Sequence, residues 1–288
     1  MTSHIVMIDG TIVPPELAHV SVYDRGFLFG DGVFEVLRTY RGAPFAVDEH
    51  IARLRRSAEK VLIALPVDEP ALRNEITSAV RASDNEESYV RVVLTRGTGP
   101  LSLDPDTAIR PLRVVLVAPL ASPPAHAYAA GIRAVLVHTR RTTDETAAAG
   151  AKVSNYLASL LAVREAKIRG GDEALIVDAH GNVVEGATSN VFVVREGLVA
   201  TPPEEAGILA GITRACIVQA AKDLGIPCEE RALPVAEIFD ADEVFITSTI
   251  RELLSVAHVD DRPIGMGSPG PIARALYRQF RRAVEPSR

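Results

Sequence analysis

An α+β protein built as two halves of similar length is the fold this sequence predicts. Three observations carry that expectation. β-Branched runs turning on Asp-Gly, Arg-Gly and His-Gly-Asn alternate with stretches whose apolar residues recur every three or four positions. A single proline- and alanine-rich interruption, ASPPAHAYAAG at 121–131, divides the chain near its middle. The 288 residues, 47% hydrophobic and 24% charged, are enough for one large or two ordinary domains with a substantial core. The expected division is an α+β domain over 1–120, a linker over 121–131 and an α+β domain over 132–288 that contains Lys152.

Each element follows from local pattern. IVMIDGTIVP is two apolar runs around Asp-Gly, a hairpin signal, and GVFEVLRTYRGAPF repeats the device at Arg41-Gly42. Asp48 is the expected cap of a helix through about Leu65, with Ile51, Leu54, Ala58, Val61 and Leu65 on one stripe. A second helix is predicted over roughly 70–82. Strands follow at 89–95 and 112–117, separated by the loop RGTGPLSLDPDT. Beyond the interruption come a strand at 132–138, a polar loop and a helix over about 155–169. The strands EALIVD, VVEG and SNVFVV are next, then a helix from Gly211 to about Leu224 and the strand ADEVFITST. There is no internal repeat and no low-complexity tract.

Composition narrows the function classes. The net charge of −6 argues against general nucleic-acid binding. LRVVLVAPLA, the most apolar stretch, is short and contains Arg113, and the N-terminus has no signal-peptide pattern, so a soluble cytoplasmic protein is expected. Cys216 and Cys228 make no disulfide scaffold. The seven histidines show no metal-ligand spacing, and no nucleophile elbow, Walker motif or dinucleotide fingerprint is present.

What remains is an unusual lysine. Of 31 Lys and Arg residues only Lys60, Lys152, Lys167 and Lys222 are lysines, and arginine cannot form a Schiff base. Three of the four lie inside amphipathic helices. Lys152 alone sits at a loop–helix junction, where it is either a nucleophile facing a cleft or a surface lysine. Glu185 ends a β-branched run before a glycine; it either points into a pocket or is an edge-strand acid in solvent. Gly211-Ile212-Thr213 at a helix start, and Ser248 with Thr249 at a strand end, are anion cradles or ordinary caps. Arg53 lies on the flank of its helix, reaching a phosphate or solvent. Arg91 interrupts the strand YVRVVLT, where a charge needs a carboxylate ligand, a neighbouring acid or an edge position. An amine, an acid and donors for a dianionic phosphate are together the inventory that pyridoxal phosphate requires.

These segments, in order, are DRGFLFGDGVFEVLR, DEHIARLRRSA, KVSNYLASLLAVREA, EALIVDAHGNVVEGATSNVF, GILAGITR and ADEVFITST. The series resembles the class IV, or fold type IV, pyridoxal-phosphate aminotransferases over about 9–259. That group comprises branched-chain aminotransferases, D-amino-acid aminotransferases and aminodeoxychorismate lyases. The resemblance implies a two-domain fold of the D-amino-acid aminotransferase type, pyridoxal 5'-phosphate in the interdomain cleft, and a homodimer. It implies that Lys152 carries the cofactor and shuttles the Cα proton, and that Glu185 pairs with the ring nitrogen. Arg53, Gly211, Ile212, Thr213, Ser248 and Thr249 would serve the phosphate, and Leu209 would pack on the ring. Tyr156 stands one residue nearer the lysine than the tyrosine that bonds the phenolic oxygen in branched-chain enzymes.

For the substrate, Tyr89 and Arg91, with Phe34 and Arg38, are similar to the branched-chain group. Val36 and the lysine-to-asparagine spacing of KVSN are similar to the D-amino-acid group. The R-x-H carboxylate trap of that second group is replaced by Leu101 and Leu103, leaving Arg91, with Arg25 of a neighbouring subunit, as carboxylate candidates. The expectation is transfer of an amino group between an amino acid, branched-chain L- or D-, and a 2-oxo acid such as 2-oxoglutarate. The alternatives are a lyase releasing pyruvate, from which Val36 departs where threonine is usual, and a catalytically silent binding protein.

Overall fold

The first hairpin forms as the Asp-Gly signal requires. β1 (Ile5–Ile8) and β2 (Thr11–Val13) turn on Asp9 and Gly10, both at positive φ, which is the handedness a two-residue hairpin turn needs. In this computed structural model the described residues are 4–108, 110–138 and 146–285. α1 (Arg25–Phe29) is capped by the Asp24 carboxylate, which accepts from the Gly26 N–H. β3 (Gly32–Tyr40) and β4 (Ala43–Pro44) form the second hairpin. α2 (Val47–Lys60) departs from expectation at both ends: no side chain caps it, Asp48 falls in its first turn, and it stops before Leu62, whose φ is 57°. α3 (Glu69–Ser83), capped by Asp68, and the long strands β5 (Ser88–Thr95) and β6 (Leu112–Pro119) complete the series.

These strands make one sheet in the order β2-β1-β6-β5-β3-β4. Alternation along β3 and β5 sorts the two faces. Leu37, Val90, Val92 and Leu94 pack with Ile51, Leu54, Leu72 and Ile76 of the two helices into one core. The opposite face of this strand pair carries Phe34, Val36 and Arg38, in register with Val93, Arg91 and Tyr89.

The chain divides into two compact units, one of Met1–Ala121 with Thr146–Tyr156 and the other of Ser122–Glu145 with Leu157–Arg288. Lys152 therefore lies in the first unit, whereas sequence assigned it to the domain over 132–288. The reason is a vacant strand edge. β4 pairs only with Thr39 and Tyr40, leaving the start of β3 open on that side. Residues 152–154 take the position: Val153 bridges Val33, Phe34 N–H donates to the Lys152 carbonyl (2.9 Å) and Ser154 N–H to that of Gly32 (2.8 Å).

The second unit opens with α4 (Ala125–Ala130), so the expected linker is partly helical. β7 (Ile132–His138) follows; the polar loop expected after it lies outside the described residues up to 145. Then come α5 (Leu157–Ile168), β8 (Glu173–Val177), β9 (Val183–Gly186), β10 (Asn190–Arg195), β11 (Leu198–Thr201), α6 (Ile212–Asp223) and β12 (Cys228–Glu230). α7 (Val235–Asp240), β13 (Glu243–Ser248), β14 (Glu252–Val259), β15 (Arg262–Pro263) and α8 (Pro271–Val284) end the chain. The sheet runs β12-β11-β10-β13-β14-β7-β8-β9, with β15 beside β14. Its core joins Leu175, Val191, Val193, Val244, Ile246 and Leu254. α8 was not foreseen in sequence; buried Glu243 caps it, accepting from the N–H groups of Ile272 and Ala273. No helix among the described residues is long and apolar enough to cross a membrane.

Candidate active site

In the first unit, pairing with β3 fixes the backbone of Lys152, and its N–H donates to Ser57 Oγ on α2 (3.1 Å). The side chain ends with Nζ 3.5 Å from Tyr156 Oη and 4.7 Å from the centre of the Phe34 ring. Tyr156 meets that ring edge-on at 5.1 Å between centroids. The Arg91 guanidinium lies over the same ring, 3.9 Å from its centre. β5 is interior to the sheet, and Arg91 has no ion-pair partner among the described residues. Both mundane explanations for a charge in this strand, an edge position or an acid beside it, are thereby removed. One buried phenylalanine thus carries an amine and a guanidinium on its π system, a contact favourable to each cation.

Arg53, for which sequence left a phosphate or solvent open, is not solvated; it is 5% exposed. Its Nε and Nη2 fork onto the two oxygens of Glu35 at 2.7 and 2.8 Å, and His50 Nδ1 lies 2.7 Å from Glu35 Oε2. Glu35 is on the helix-facing side of β3, and His50 and Arg53, three residues apart, share the inner face of α2. Burial alone would raise the Glu35 pKa, but the Arg53 charge and the hydrogen bonds from Arg53 and His50 hold it at about 2. Burial lowers that of His50, outweighing its Glu35 bond, so the ring is neutral near pH 7 and donates from Nδ1.

Both shifts make stability depend on pH in the same direction. The unfolded chain binds a proton at His50 as pH falls through 6.5, and at Glu35 through 4.5, where the folded chain does not. We expect the melting temperature to fall between pH 7.5 and 5.5, and again between 5 and 3. The His50→Gln variant should lose the upper step in calorimetry; an unchanged upper step would remove His50 from the account.

Arg25, expected to face a substrate carboxylate in a neighbouring subunit, is 3% exposed and spends its guanidinium on its own chain. Nε donates to Asp31 Oδ2 (2.9 Å), Nη1 to the Ser102 carbonyl (2.6 Å) and Nη2 to that of Leu103 (3.3 Å). Leu101 and Leu103 project from this loop, 73% and 80% exposed.

In the second unit, β9 is the last strand of its sheet, and Glu185 on it is half-buried. Its Oε2 accepts from the Leu209 N–H (3.2 Å), while Asn190 Nδ2 donates to the Leu209 carbonyl (2.9 Å). The next residues open α6 with no side chain on its first N–H groups. Gly211 is required here by space rather than by φ. A Cβ at that position would stand 1.9 Å from Asn190 Oδ1. Thr213 is buried just inside the helix, and Ile212 half-buried before it. Ser248 ends β13 and Thr249 begins the turn after it. Arg251 ties that turn down: its N–H reaches Ser248 Oγ (3.3 Å), and its guanidinium bonds Thr188 Oγ1 (2.8 Å) and pairs with buried Glu173.

The structure therefore gathers Lys152, Tyr156, Phe34 and Arg91 within the first unit, and Glu185, Leu209 and the start of α6 within the second. Val36 and Tyr89 flank Arg91 on its face of the sheet. Sequence reasoning missed Glu35, His50, Asp31, Asn190 and Arg251. The first was detectable: alternation places Glu35 on the apolar face of β3, where a carboxylate needs a partner. Among the described residues no cluster of three His, Cys, Asp or Glu could hold a metal ion.

Comparison with known proteins places these features in context. The family model described as amino-transferase class IV matches residues 32–259. A putative branched-chain-amino-acid aminotransferase of Methanocaldococcus jannaschii is 38% identical over 96% of this chain and 95% of its own. The D-alanine aminotransferase of Bacillus licheniformis is 31% identical over 97% and 96%. Among solved structures, a branched-chain amino acid aminotransferase from T.th., with pyridoxamine 5'-phosphate, superposes with a TM-score of 0.93 at 32% identity, covering 99% of this chain and 95% of that one.

Proposed function

This chain belongs to the class IV amino-transferases and is an aminotransferase, and from that premise we propose that it works with pyridoxal 5'-phosphate on apolar α-amino acids. The observation that carries the reading is the Phe34 ring, which holds the Lys152 amine and the Arg91 guanidinium in one cluster. The residues present fit the cofactor. An amine sits among aromatic rings, and a half-buried carboxylate meets a helix start left uncapped and made narrow by the Gly211–Asn190 contact. A relative's bound pyridoxamine 5'-phosphate supports the same choice.

The cofactor supplies an aldehyde that takes up an amine and an electron-poor ring that accepts the electron pair left at Cα. Lys152 Nζ would provide the amine that holds it and, once free, would move the proton at substrate Cα. Tyr156 Oη, 3.5 Å from that nitrogen, orients it. Glu185 would keep a proton on the ring nitrogen. Arg53, the N–H groups of Ile212 and Thr213, and the Ser248 and Thr249 hydroxyls bind the phosphate dianion. Arg91 receives the substrate carboxylate, with Tyr89 beside it, and Phe34 and Val36 exclude water from the apolar side. Leu101 and Leu103 line the substrate side-chain pocket. The amino acceptor is a 2-oxo acid such as 2-oxoglutarate. We further take the working form to be a cytoplasmic homodimer. The exposed row Leu157, Leu160 and Leu161 on α5 and the two free cysteines support that reading.

The test is a half-reaction. The visible band of the purified holoenzyme is followed on separate addition of L-leucine, L-glutamate, D-alanine and D-glutamate. Bleaching by the L-set alone assigns branched-chain specificity, and by the D-set alone D-amino-acid specificity. A protein that binds no pyridoxal phosphate, or whose band responds to no amino acid, would sink the proposal.

A further inference from the structure

The 97–104 loop is shaped by one arginine, whose charge is committed to the framework of its own chain. Four of the five N–H donors of Arg25 are spent: one on Asp31, two on the Ser102 and Asp104 carbonyls and one on the Leu103 carbonyl. The Arg25 N–H also donates to the Gly97 carbonyl, and Phe29 stacks beneath the guanidinium at 5.1 Å. Asp31 is itself fixed by Arg96 Nε (2.8 Å), whose other nitrogens hold the Val61 and Leu62 carbonyls. Burial would raise the Asp31 pKa, but Arg96 and Arg25 together lower it, keeping the carboxylate charged under the guanidinium. At 3% exposure and with one donor left, Arg25 could offer a carboxylate its two-pronged fork only by surrendering these carbonyls. Arg91, resting on an aromatic face without an acid partner among the described residues, is under no such constraint.

We propose that Arg25 is a positioning residue that sets the conformation of the loop bearing Leu101 and Leu103, and so tunes side-chain selectivity, and that it does not receive the substrate carboxylate. The selectivity half rests on the reading above that these leucines line the side-chain pocket. Serial carbonyls at 102, 103 and 104 converge on one planar fork, which a lysine, as a point charge, cannot reproduce.

The test uses holoenzyme variants Arg25→Gln, Arg25→Lys, Asp31→Asn, Leu103→Ala and Arg91→Gln, each checked for native melting behaviour. Amide exchange of residues 97–104 is read alongside KM and kcat for a small and a large apolar amino acid of the enantiomer that serves. Both Arg25 variants and Asp31→Asn should speed exchange in the loop about tenfold or more. Both Arg25 variants should raise KM for the large substrate about tenfold relative to the small one. Arg91→Gln should raise KM for both equally and leave loop exchange alone. Unchanged exchange in Arg25→Gln would overturn the anchor. An equal KM rise for both substrates, relieved by Arg25→Lys, would make Arg25 a carboxylate ligand and overturn the second half. Faster exchange in the Arg25 variants with no selectivity change in Leu103→Ala would retain the anchor, and only the pocket-lining reading would fall.

Discussion

Replacing Lys152 by alanine is expected to lower transamination by about four orders of magnitude or more, because in the proposed function one nitrogen would serve as both cofactor amine and proton carrier. The local fold should survive. Lys152 is held through its own N–H and carbonyl, bonded to Ser57 and Phe34, and alanine retains both. Circular dichroism and melting should therefore be near those of the parent while turnover disappears. Borohydride treatment of the parent holoenzyme should attach the cofactor to the peptide containing Lys152, and mass spectrometry should find no such adduct in the variant. A Lys152→Ala protein that turns over at the parental rate would remove this lysine from the chemistry and, with it, the reading of the Phe34 cluster.

The second large effect is expected at Glu35. Glu35→Gln leaves Arg53 charged in a buried site, facing an amide instead of a carboxylate. Removing one partner of a buried ion pair typically costs about 3–5 kcal/mol, because the remaining charge has lost its compensation. Denaturant unfolding should show a loss of that order. The double change Glu35→Leu with Arg53→Met should recover much of it, since an apolar pair of similar size imposes no such penalty. Stability and binding should then separate: the double variant folds well yet binds pyridoxal phosphate weakly in a fluorescence titration, for want of Arg53. If Glu35→Gln unfolds like the parent, the triad contributes nothing to the fold. If the double variant binds the cofactor normally, Arg53 is structural alone.

Arg53 and Arg25 show why charged residues were the least legible from sequence. Arg53 was read as reaching a phosphate or solvent and Arg25 as a carboxylate candidate, and both are among the most buried arginines of the described residues. Periodicity reports which face of an element is apolar; it does not report what a charge on that face will meet. Glu35 comes 18 residues before Arg53, and the Arg25 carbonyls lie 77 to 79 residues downstream. Those meetings depend on how β3 packs under α2 and how the loop after β5 returns to α1. Arg91 shows the reverse case. Its odd position in a β-branched strand marked it, and strand order then removed the ordinary explanations.

Sequence alone determined the family, the reaction class and the α+β architecture. An ordered set of motifs and one lysine at a loop–helix junction, in a chain that otherwise relies on arginine, point to a single chemistry. The hairpins at Asp9-Gly10 and Arg41-Gly42 were equally determined, because positive φ is a local requirement with local residue preferences. Tertiary structure decided the rest. It assigned Lys152 to the first unit by filling the open edge of β3, made a helix of part of the supposed linker, and capped α8 with a glutamate from β13. It also set Arg53 and Arg25 in buried networks of their own chain. Turns and amphipathic faces are settled by neighbours in sequence. A strand edge's partner, or a buried charge's counter-ion, is settled by segments far apart in the chain that meet only when the core closes.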